Sequence, residues 1–397
     1  MARIVMGALA AFALAAAFPL HASTDGKDLP ADLPLNRLQV VGTHNSYSLP
    51  LDPRLTDLVA PLINEQMQRL TTHMPPKAAE LFREEHPNEV TFSEVLNYRH
   101  DDLRSQLDFG LRSLELDVHP DPEGGHYLDP AGYRLLKERG ATDLAPIDTA
   151  VLAQPGYKVF HMPDVDFRSH CTLFRTCLEQ IRGWSDANPG HVPLFILIEA
   201  KVQAAPIFAG ATVPIPFDKQ RFDELDHEIL SVFGRDRIIT PDDVRGDFPT
   251  LNAAVRAGHW PTLAKARGKV LFLMLTASGD AGTGPYLEGH PSLSGRVAFL
   301  RAQPGEDHAA FLMYDSALMR SQEIARAVAK GYLVRTRSDI ETYEAKVDDR
   351  TRADAALASG AQIVSTDFPK PGNPYGTAYT VGLPGGASAR VSPAFTR

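Results

Sequence analysis

Four short apolar runs of the 397-residue chain end in side chains that could do chemistry. An imidazole and an amide follow the first run, two carboxylates close the second, an imidazole ends the third and a carboxylate ends the fourth. In chain order these residues are His44 and Asn45, Glu115 and Asp117, His161, and Glu199. Carboxylates and amides can hold a cation, and imidazoles can carry protons near neutral pH. Any one of these residues alone is more often structural, but the ordered set predicts acid–base chemistry beside a metal ion.

The oxygen-bearing members of the set form the candidate metal site. Side chains alternate faces along a strand, so Glu115 and Asp117 project to the same side. With Glu199 and the amide oxygen of Asn45 they would bring three negative charges together, which is costly away from water unless a cation is bound. Hard oxygen ligands select Ca²⁺ or Mg²⁺ over zinc, and a mixed carboxylate and amide set is typical of Ca²⁺. We therefore predict a calcium site, with Mg²⁺ as the less favoured alternative.

The two histidines are then free for proton transfer. His44 and His161 approach from neighbouring strands, and a pair of imidazoles can act as general base and general acid around one phosphorus. Lys201 lies two residues after Glu199 and shares its face, where it could hold a phosphate oxygen. The structural alternative is that the glutamate at this strand end is simply the partner of a salt bridge.

Eight apolar runs alternate with stretches of helical character, and these elements must position the site. The runs are Leu38–Thr43, Ser113–Val118, Tyr157–His161, Leu194–Glu199, Val270–Leu275, Phe311–Tyr314, Tyr332–Thr336 and Gln362–Thr366. Apolar strands separated by helices indicate a parallel sheet covered on both faces. Eight such units favour a (β/α)₈ TIM-type barrel, and no Gly-x-Gly-x-x-Gly follows the first run to support a dinucleotide-binding fold. Catalytic residues of such barrels lie at the C-terminal ends of the strands.

Two regions stand outside this alternation in a predicted single domain of residues 23–397, whose barrel core spans about residues 37–368. Residues 50–97 form an insertion after the first strand, in which apolar residues recur at helical spacing and Pro61 is expected to kink the helix. This helix would rise beside the catalytic rim as a lid or a lipid-facing element, although covering core is the simpler interpretation. The Gly- and Pro-rich tail, residues 369–397, is expected to be an ordered wrap or a loose end.

The N-terminal residues have the pattern of a secretory signal peptide. Arg3 precedes an apolar stretch and a small-residue cleavage pattern before Ser23, so residues 1–22 are predicted to be removed and the protein to be secreted or periplasmic. Cys171 and Cys177 are expected to form a disulfide in such an oxidising compartment. The alternative, a zinc site that includes His170, would lack a fourth ligand nearby.

The charge and hydropathy of the chain limit the classes of partner that it can bind. The chain has 49 acidic and 40 basic residues, a formal net charge of −9, and no run of Lys or Arg. This composition argues against nucleic acid as a partner and against purely electrostatic docking on an anionic membrane. No later stretch approaches the roughly 18 apolar residues of a membrane span, so no transmembrane segment is predicted in the mature chain. A lipid substrate would therefore be held by local contacts.

The ordered set resembles the calcium-dependent, phosphoinositide-specific phospholipases C, and more closely their secreted single-domain bacterial branch. The motifs that carry the resemblance are His44-Asn45-Ser46-Tyr47, Leu114-Glu115-Leu116-Asp117, His161, Glu199, Arg335-Thr336-Arg337 and Ser365-Thr366-Asp367-Phe368-Pro369. The resemblance implies that His44 and His161 are the acid–base pair. It implies a set of calcium ligands made of Asn45, Glu115, Asp117 and Glu199.

The same resemblance implies a reaction at a membrane interface. Phosphatidylinositol would be cleaved to diacylglycerol and an inositol 1,2-cyclic phosphate, with Ca²⁺ as the cofactor. Lys201, Arg335 and Arg337 are candidates for contacts to the phosphate or the headgroup, and ordinary salt bridges around the rim are the alternative for all three.

Two other functions share parts of this pattern. Glycerophosphodiester phosphodiesterases have the barrel and the Glu-x-Asp and Glu-x-Lys motifs, but their first motif is His-Arg-Gly where this chain has His44-Asn45-Ser46. A non-catalytic barrel that binds calcium and inositol lipids is the alternative of another class, and the intact histidine pair argues against it. Metal-independent relatives carry an arginine in the second motif, which here is Glu-x-Asp, so a metal-free route is disfavoured.

Overall fold

The computed structural model of the protein describes residues 25–396, apart from 73, 77–78, 80–81, 83–85, 87, 89, 203–207 and 277–279. Residues 1–24, which include the predicted signal peptide, lie outside the described residues.

Within the described residues, ten strands form one sheet, and eight of them run parallel around a nearly closed barrel. The strands are β1 (Leu38–Thr43), β2 (Ser113–His119), β3 (Lys158–Val159), β4 (Leu194–Ala200), β5 (Val270–Thr276), β6 (Ala298–Leu300), β7 (Phe311–Ser316), β8 (Leu333–Arg337), β9 (Ile363–Thr366) and β10 (Ala389–Val391). The barrel order is β6, β5, β4, β2, β1, β9, β8 and β7. Arg301 and Phe311 make a parallel bridge between β6 and β7. The predicted (β/α)₈ barrel is confirmed.

The prediction is wrong for one of the eight barrel strands. The run Tyr157–His161 contributes only β3, which pairs antiparallel with the end of β2. The run is cut short because the chain turns back at Met162, whose N–H and C=O both bond to the main chain of Asp166. The eighth barrel strand is instead β6, whose three residues are too few to give a periodic signal in the sequence.

Helices cover the outside of the barrel and the loops at its rim. In chain order they are α1 (Pro53–Thr72), α2 (Phe92–Val95), α3 (Leu103–Phe109), α4 (Ala131–Glu138), α5 (Thr149–Leu152), α6 (Phe174–Ala187), α7 (Lys219–Phe233), α8 (Pro241–Arg245), α9 (Leu251–Arg256), α10 (Leu263–Ala266), α11 (Asp280–Leu287), α12 (Ser321–Ala329), α13 (Tyr343–Val347) and α14 (Thr351–Ala358). Asp102 caps α3 by accepting from the Ser105 N–H at 2.9 Å. Gly110 ends α3 in the left-handed conformation, which turns the chain towards β2.

The core of the barrel is apolar on both faces of the sheet. Every residue of β4 is buried except Glu199, as expected for a parallel strand covered on both sides. On α7 the buried residues Phe222, Leu225 and Ile229 recur at intervals of three and four, so one face of the helix meets the sheet. Burial of each such side chain stabilises the fold by roughly 1.5–3 kcal/mol. Polar residues at the strand ends therefore sit on a rigid frame.

The predicted insertion, residues 50–97, rests on a second apolar cluster beside the barrel. Leu55 and Val59 of α1 are buried, and Leu55 belongs to a cluster that includes Tyr133 of α4. The helix continues through Pro61, and Leu62 is 41% exposed. The first half of α1 thus covers core, while Leu62 faces outwards.

The tail is an ordered wrap as far as residue 396. Near the rim, Tyr379 is fully buried in a cluster with Phe368 and Tyr98. Further along, β10 pairs antiparallel with β1, with Val391 opposite Leu38. The tail therefore follows the barrel from the C-terminal ends of its strands to the start of β1.

Cys171 and Cys177 form the predicted disulfide, with their Cα atoms 5.3 Å apart. Both thiols are thereby used, and the alternative zinc ligand His170 instead donates from Nε2 to the His100 carbonyl at 2.8 Å. Among the described residues, no helix has both the length and the apolar character needed to cross a bilayer.

Candidate active site

The first histidine of the site lies where β1 ends. The backbone N–H of His44 donates to the Thr366 carbonyl at 3.2 Å, and this bond continues the pairing of β1 with β9. His44 Nδ1 lies 3.0 Å from Asp367 Oδ1, and His44 Nε2 lies 3.9 Å from Glu115 Oε1. Burial, reinforced by the charge of Arg337, holds the pKa of His44 well below its ordinary value of 6.5. The imidazole is therefore neutral near pH 7, with Nε2 towards the carboxylates.

The next residue, Asn45, is buried with its backbone in the left-handed region, at a φ of 45°. Asparagine adopts this conformation more readily than most residues. Its Nδ2 donates to the Tyr98 hydroxyl at 2.6 Å, whereas its Oδ1 is buried without a hydrogen-bond partner. Ser46 ties the turn to β2, because its N–H donates to the Glu115 carbonyl and its Oγ accepts from the Glu115 N–H. The turn thus holds a free amide oxygen next to the second strand.

Three carboxylates from β2 and β4 meet at the same rim. One oxygen from each of Glu115, Asp117 and Glu199 lies within 4.8 Å of the others. The parallel register explains this geometry, since Asp117 pairs with Glu199 across the two strands. Burial raises the pKa of Glu115 to about 7 and the pKa of Asp117 well above its ordinary value, and the charge of Glu199 adds to both shifts. The cluster therefore carries more negative charge than its buried position favours.

Two basic side chains partly balance these carboxylates. Lys201 Nζ lies 3.2 Å from Asp117 Oδ2 and 3.2 Å from Glu199 Oε1. Arg335, on β8, lies 3.1 Å from Glu115 Oε2. The second oxygen of Asp117, Oδ1, is buried without a hydrogen-bond partner.

The oxygens left without partners suit a hard divalent cation. Buried polar atoms normally have a hydrogen-bond partner, but Asn45 Oδ1 and Asp117 Oδ1 have none, and Asp117 Oδ2 has only the Lys201 ammonium at 3.2 Å. The donors are all oxygens, from carboxylates and one amide, which is the set that Ca²⁺ prefers. The chemistry of the four predicted ligands therefore suits a calcium ion, and their role as ligands stays a prediction. Asn45 follows β1, which adjoins β2, the strand of Glu115 and Asp117.

The second histidine, His161, lies in a tight turn after β3 rather than at the end of a barrel strand. Its Nδ1 lies 3.1 Å from Asp166 Oδ2, and its N–H donates to the Asp166 carbonyl at 3.1 Å. The side chain is 22% exposed. The charge of His161 contributes to the lowered pKa of His44, so the two imidazoles share one electrostatic environment.

The three side chains predicted to contact phosphate are all ion-paired. Arg335 pairs with Asp315 at the end of β7 as well as with Glu115. Arg337 lies 3.1 Å from Asp367 Oδ2. With Lys201 held by its two carboxylates, this arrangement agrees with the salt-bridge alternative, and a role in substrate binding stays a prediction.

Comparison with known proteins identifies the family of this chain. A family model described as phosphoinositide phospholipase C, Ca²⁺-dependent, matches residues 33–393. The chain belongs to this family. Enzymes of this phospholipase family are phosphodiesterases, so the prediction of an enzyme is confirmed. A comparison with curated proteins found no match.

Solved structures share the fold of this phospholipase. A calcium-dependent phosphoinositol-specific phospholipase C from a Gram-negative bacterium, Pseudomonas sp, is 16% identical with a TM-score of 0.50, and the match covers 91% of this chain and 97% of that one. A Ca²⁺-dependent phosphatidylinositol-specific phospholipase C from Streptomyces antibioticus is 18% identical with a TM-score of 0.49, over 84% of this chain and 95% of that one. At these identities the likeness to the Pseudomonas structure shows the barrel fold.

Three side chains contact the site residues in roles that the sequence does not predict, namely Asp367, Asp166 and Tyr98. Of these, only Asp367 belongs to a motif noted in the sequence. Asp367 directly follows β9, so its place at a strand end was the available signal. Asp166 and Tyr98 lie in loops, and no spacing in the sequence connects them to His161 or Asn45.

Proposed function

We propose that this phospholipase cleaves phosphatidylinositol to diacylglycerol and inositol 1,2-cyclic phosphate by histidine acid–base catalysis. The observation that carries the proposal is the position of His44 Nε2, 3.9 Å from Glu115 Oε1, beside the three carboxylates and the free Asn45 oxygen. A neutral imidazole next to an oxygen-lined cation site is suited to deprotonating a hydroxyl that attacks phosphorus. Membership of the family supports a phosphoinositide as the substrate class.

In this proposal His44 is the base and His161 is the acid. Asp367 holds Nδ1 of His44, which leaves Nε2 to take the proton of the inositol 2-hydroxyl as its oxygen bonds to phosphorus. Asp166 holds Nδ1 of His161, whose Nε2 then gives its proton to the departing diacylglycerol oxygen. A carboxylate behind an imidazole fixes its tautomer and stabilises its charged form. Water can hydrolyse the cyclic product when the two histidines have exchanged protonation states.

The proposed calcium ligands are Asn45, Glu115, Asp117 and Glu199. Bound Ca²⁺ supplies positive charge that lowers the pKa of the attacking hydroxyl and offsets the charge that develops on the phosphoryl group. Lys201 and Arg337, whose side chains are 11% and 14% exposed, are proposed to contact the phosphate or the headgroup. Arg335 is more deeply buried, at 4%, and is proposed to hold Glu115 in place.

An inositol headgroup is supported by one of the solved relatives. The phospholipase from Pseudomonas sp has also been solved as a myo-inositol complex, with 16% identity to this chain and a TM-score of 0.50. We propose that the same kind of headgroup enters the rim of the barrel here, with its 2-hydroxyl towards His44.

We also propose that the rim docks on a lipid surface. Six large apolar side chains are exposed among the described residues, and five of them follow the C-terminal ends of barrel strands: Leu62, Val213, Leu318, Met319 and Val347. Active sites of such barrels lie at these same strand ends, so a bilayer that meets these side chains would lie next to the catalytic residues.

The proposed reaction is tested by ³¹P NMR of phosphatidylinositol micelles mixed with the purified protein. The arms are added Ca²⁺, EDTA, and His161→Ala with Ca²⁺. His227→Ala is the matched control, because His227 is exposed on α7, away from the strand ends. We expect a cyclic inositol phosphate signal with Ca²⁺ and in the control variant, and none with EDTA or His161→Ala.

Two other outcomes of these assays would favour a different function. Release of glycerol phosphate from glycerophosphodiesters, without turnover of phosphatidylinositol, would favour the glycerophosphodiesterase alternative. The Glu-x-Lys motif that contains Lys201 would then indicate the function better than the first motif does. Calcium binding without turnover of either substrate would indicate the non-catalytic binding barrel.

We propose that residues 1–22 direct export and are removed. The Cys171–Cys177 disulfide supports an oxidising compartment. Mass spectrometry of the protein purified from the periplasm or medium is expected to place the mature N-terminus at Ser23. A retained Met1 on an exported, membrane-bound product would instead indicate an uncleaved anchor.

A further inference from the structure

The segment that follows the insertion contacts the His44–Asn45 turn at two points. Tyr98 accepts from Asn45 Nδ2 at 2.6 Å, and His100 Nε2 donates to the His44 carbonyl at 2.8 Å. The Tyr98 ring packs on both imidazoles, with centroids 5.7 Å from His44 and 5.9 Å from His100. Tyr98 is 5% exposed and belongs to the apolar cluster shared by the insertion and the tail. A buried part of the fold therefore contacts the His44–Asn45 turn.

The Asn45 amide has two possible orientations, related by a half-turn about its last side-chain bond. One orientation points the oxygen away from Tyr98, and the other points the NH₂ group away. Hydrogen-bond partners decide between them. In the structure the NH₂ group donates to the Tyr98 hydroxyl, and Oδ1 is left buried without a partner.

We propose that Tyr98 is a positioning residue that keeps the Asn45 oxygen available to the cation. This inference rests on the proposed calcium site. With Oδ1 turned to the cation, Nδ2 needs an acceptor, and the Tyr98 hydroxyl is that acceptor. Without the hydroxyl, Nδ2 is buried unpaired in the liganding orientation, which is therefore stabilised less. Groups that orient metal ligands from behind commonly change metal affinity by about 10–100-fold when they are removed.

The test uses Tyr98→Phe, which keeps the ring and removes only the hydroxyl. Calcium affinity of the full chain is measured by isothermal titration calorimetry, and phosphatidylinositol turnover is measured across a range of Ca²⁺ concentrations. We expect the dissociation constant for Ca²⁺ to rise by about 10–100-fold. The half-activating Ca²⁺ concentration should rise by the same factor, with kcat at saturating Ca²⁺ close to that of the wild type.

Tyr375→Phe is the matched control. The Tyr375 hydroxyl contacts Thr342 Oγ1 at 2.6 Å, in the same insertion–tail region but away from Asn45. Its removal is expected to leave Ca²⁺ affinity unchanged. A loss of affinity in both variants would mean that loosening this region, rather than losing the hydroxyl at Asn45, weakens the site.

Asn45→Asp tests the orientation argument with Tyr98 intact. Both ends of a carboxylate are oxygens, so orientation no longer matters and Ca²⁺ binding should be at least as tight as in the wild type. Adding Tyr98→Phe to this variant should then change the dissociation constant by less than about threefold.

The proposal is overturned if Tyr98→Phe binds Ca²⁺ as tightly as the wild type, or if Asn45→Asp binds it more weakly. It is also overturned if Tyr98→Phe lowers kcat at saturating Ca²⁺ without changing affinity. Absence of Ca²⁺ binding by the wild type would be a different result, because it would reject the proposed calcium site itself.

Discussion

Each histidine of the candidate site has its own buried carboxylate, and this pairing is the residue-scale feature on which the proposed chemistry depends. Asp367 is 323 positions from His44 in the chain, whereas Asp166 is five positions from His161. The sequence alone predicts that the oxygen-bearing side chains and both imidazoles lie near one another, because each lies in or directly after an apolar run. It does not predict Asp367 as a partner, because a contact between positions 323 apart leaves no trace in local spacing. Asp166 is close in the chain but lies in an irregular turn, where no periodic pattern links it to His161.

Asp166→Asn is expected to lower kcat by roughly 10²–10⁴-fold without changing Ca²⁺ affinity. The amide can donate to His161 Nδ1 and so favour the tautomer that has its proton on Nε2 in the neutral state, and it cannot stabilise the charged imidazole. Steady-state kinetics and calcium titration check this outcome. Asp354→Asn on α14 is the control, since its carboxylate is exposed and pairs only with Arg350 among the contacts described. Full activity in Asp166→Asn would show that His161 needs no carboxylate.

At the scale of elements, the barrel depends on a strand that periodicity could not reveal. The short strand β6 is anchored by Arg296, which donates from Nε to the Tyr286 carbonyl of α11 at 2.6 Å and lies 3.3 Å from Asp226 of α7. The Tyr286 hydroxyl also donates to Asp226 at 3.0 Å. The predicted number of barrel strands is correct, but the prediction includes β3, which lies outside the barrel, and omits β6.

Arg296→Ala is expected to reduce the free energy of unfolding by about 3–5 kcal/mol, because it leaves the Asp226 carboxylate buried without its cation. Urea unfolding followed by circular dichroism measures this loss. Arg326→Ala, which removes an exposed arginine from α12, is expected to change stability by less than about 1 kcal/mol. Equal stabilities of the two variants would mean that the buried cluster contributes no more than a surface pair.

At the scale of the whole molecule, β2 and β4 together place a group of like charges on the rim. Without a cation, the repulsion among three carboxylates destabilises the folded protein, and the charges of Lys201 and Arg335 only partly offset it. One oxygen from each of Glu115, Asp117 and Glu199 lies within 4.8 Å of the others. A cation that binds this rim stabilises the folded state by mass action. Stability and catalysis should therefore respond to the same ion.

Ca²⁺ at about 100 times its dissociation constant is expected to stabilise the fold by about 2.7 kcal/mol, and EDTA should remove this gain. Differential scanning calorimetry with Ca²⁺, Mg²⁺ and EDTA checks the expectation, with Mg²⁺ giving the smaller shift in Tm. Glu199→Gln should shrink the Ca²⁺-dependent shift, whereas Glu138→Gln, at an exposed position of α4, should preserve it. Identical Tm values in Ca²⁺ and EDTA would contradict a calcium site at this rim.

The path of the tail has a consequence for how the protein is made. Ser392 donates from its N–H to the Arg37 carbonyl and from Oγ to the Gly360 carbonyl, and Arg390 donates to Gln39, so residues 390–392 complete the base of the first strand. The first barrel strand therefore lacks a neighbour until a segment about 351 positions later has been synthesised. Deletion of residues 389–391 should accordingly destabilise the barrel, although this strand lies at the end of β1 opposite to His44.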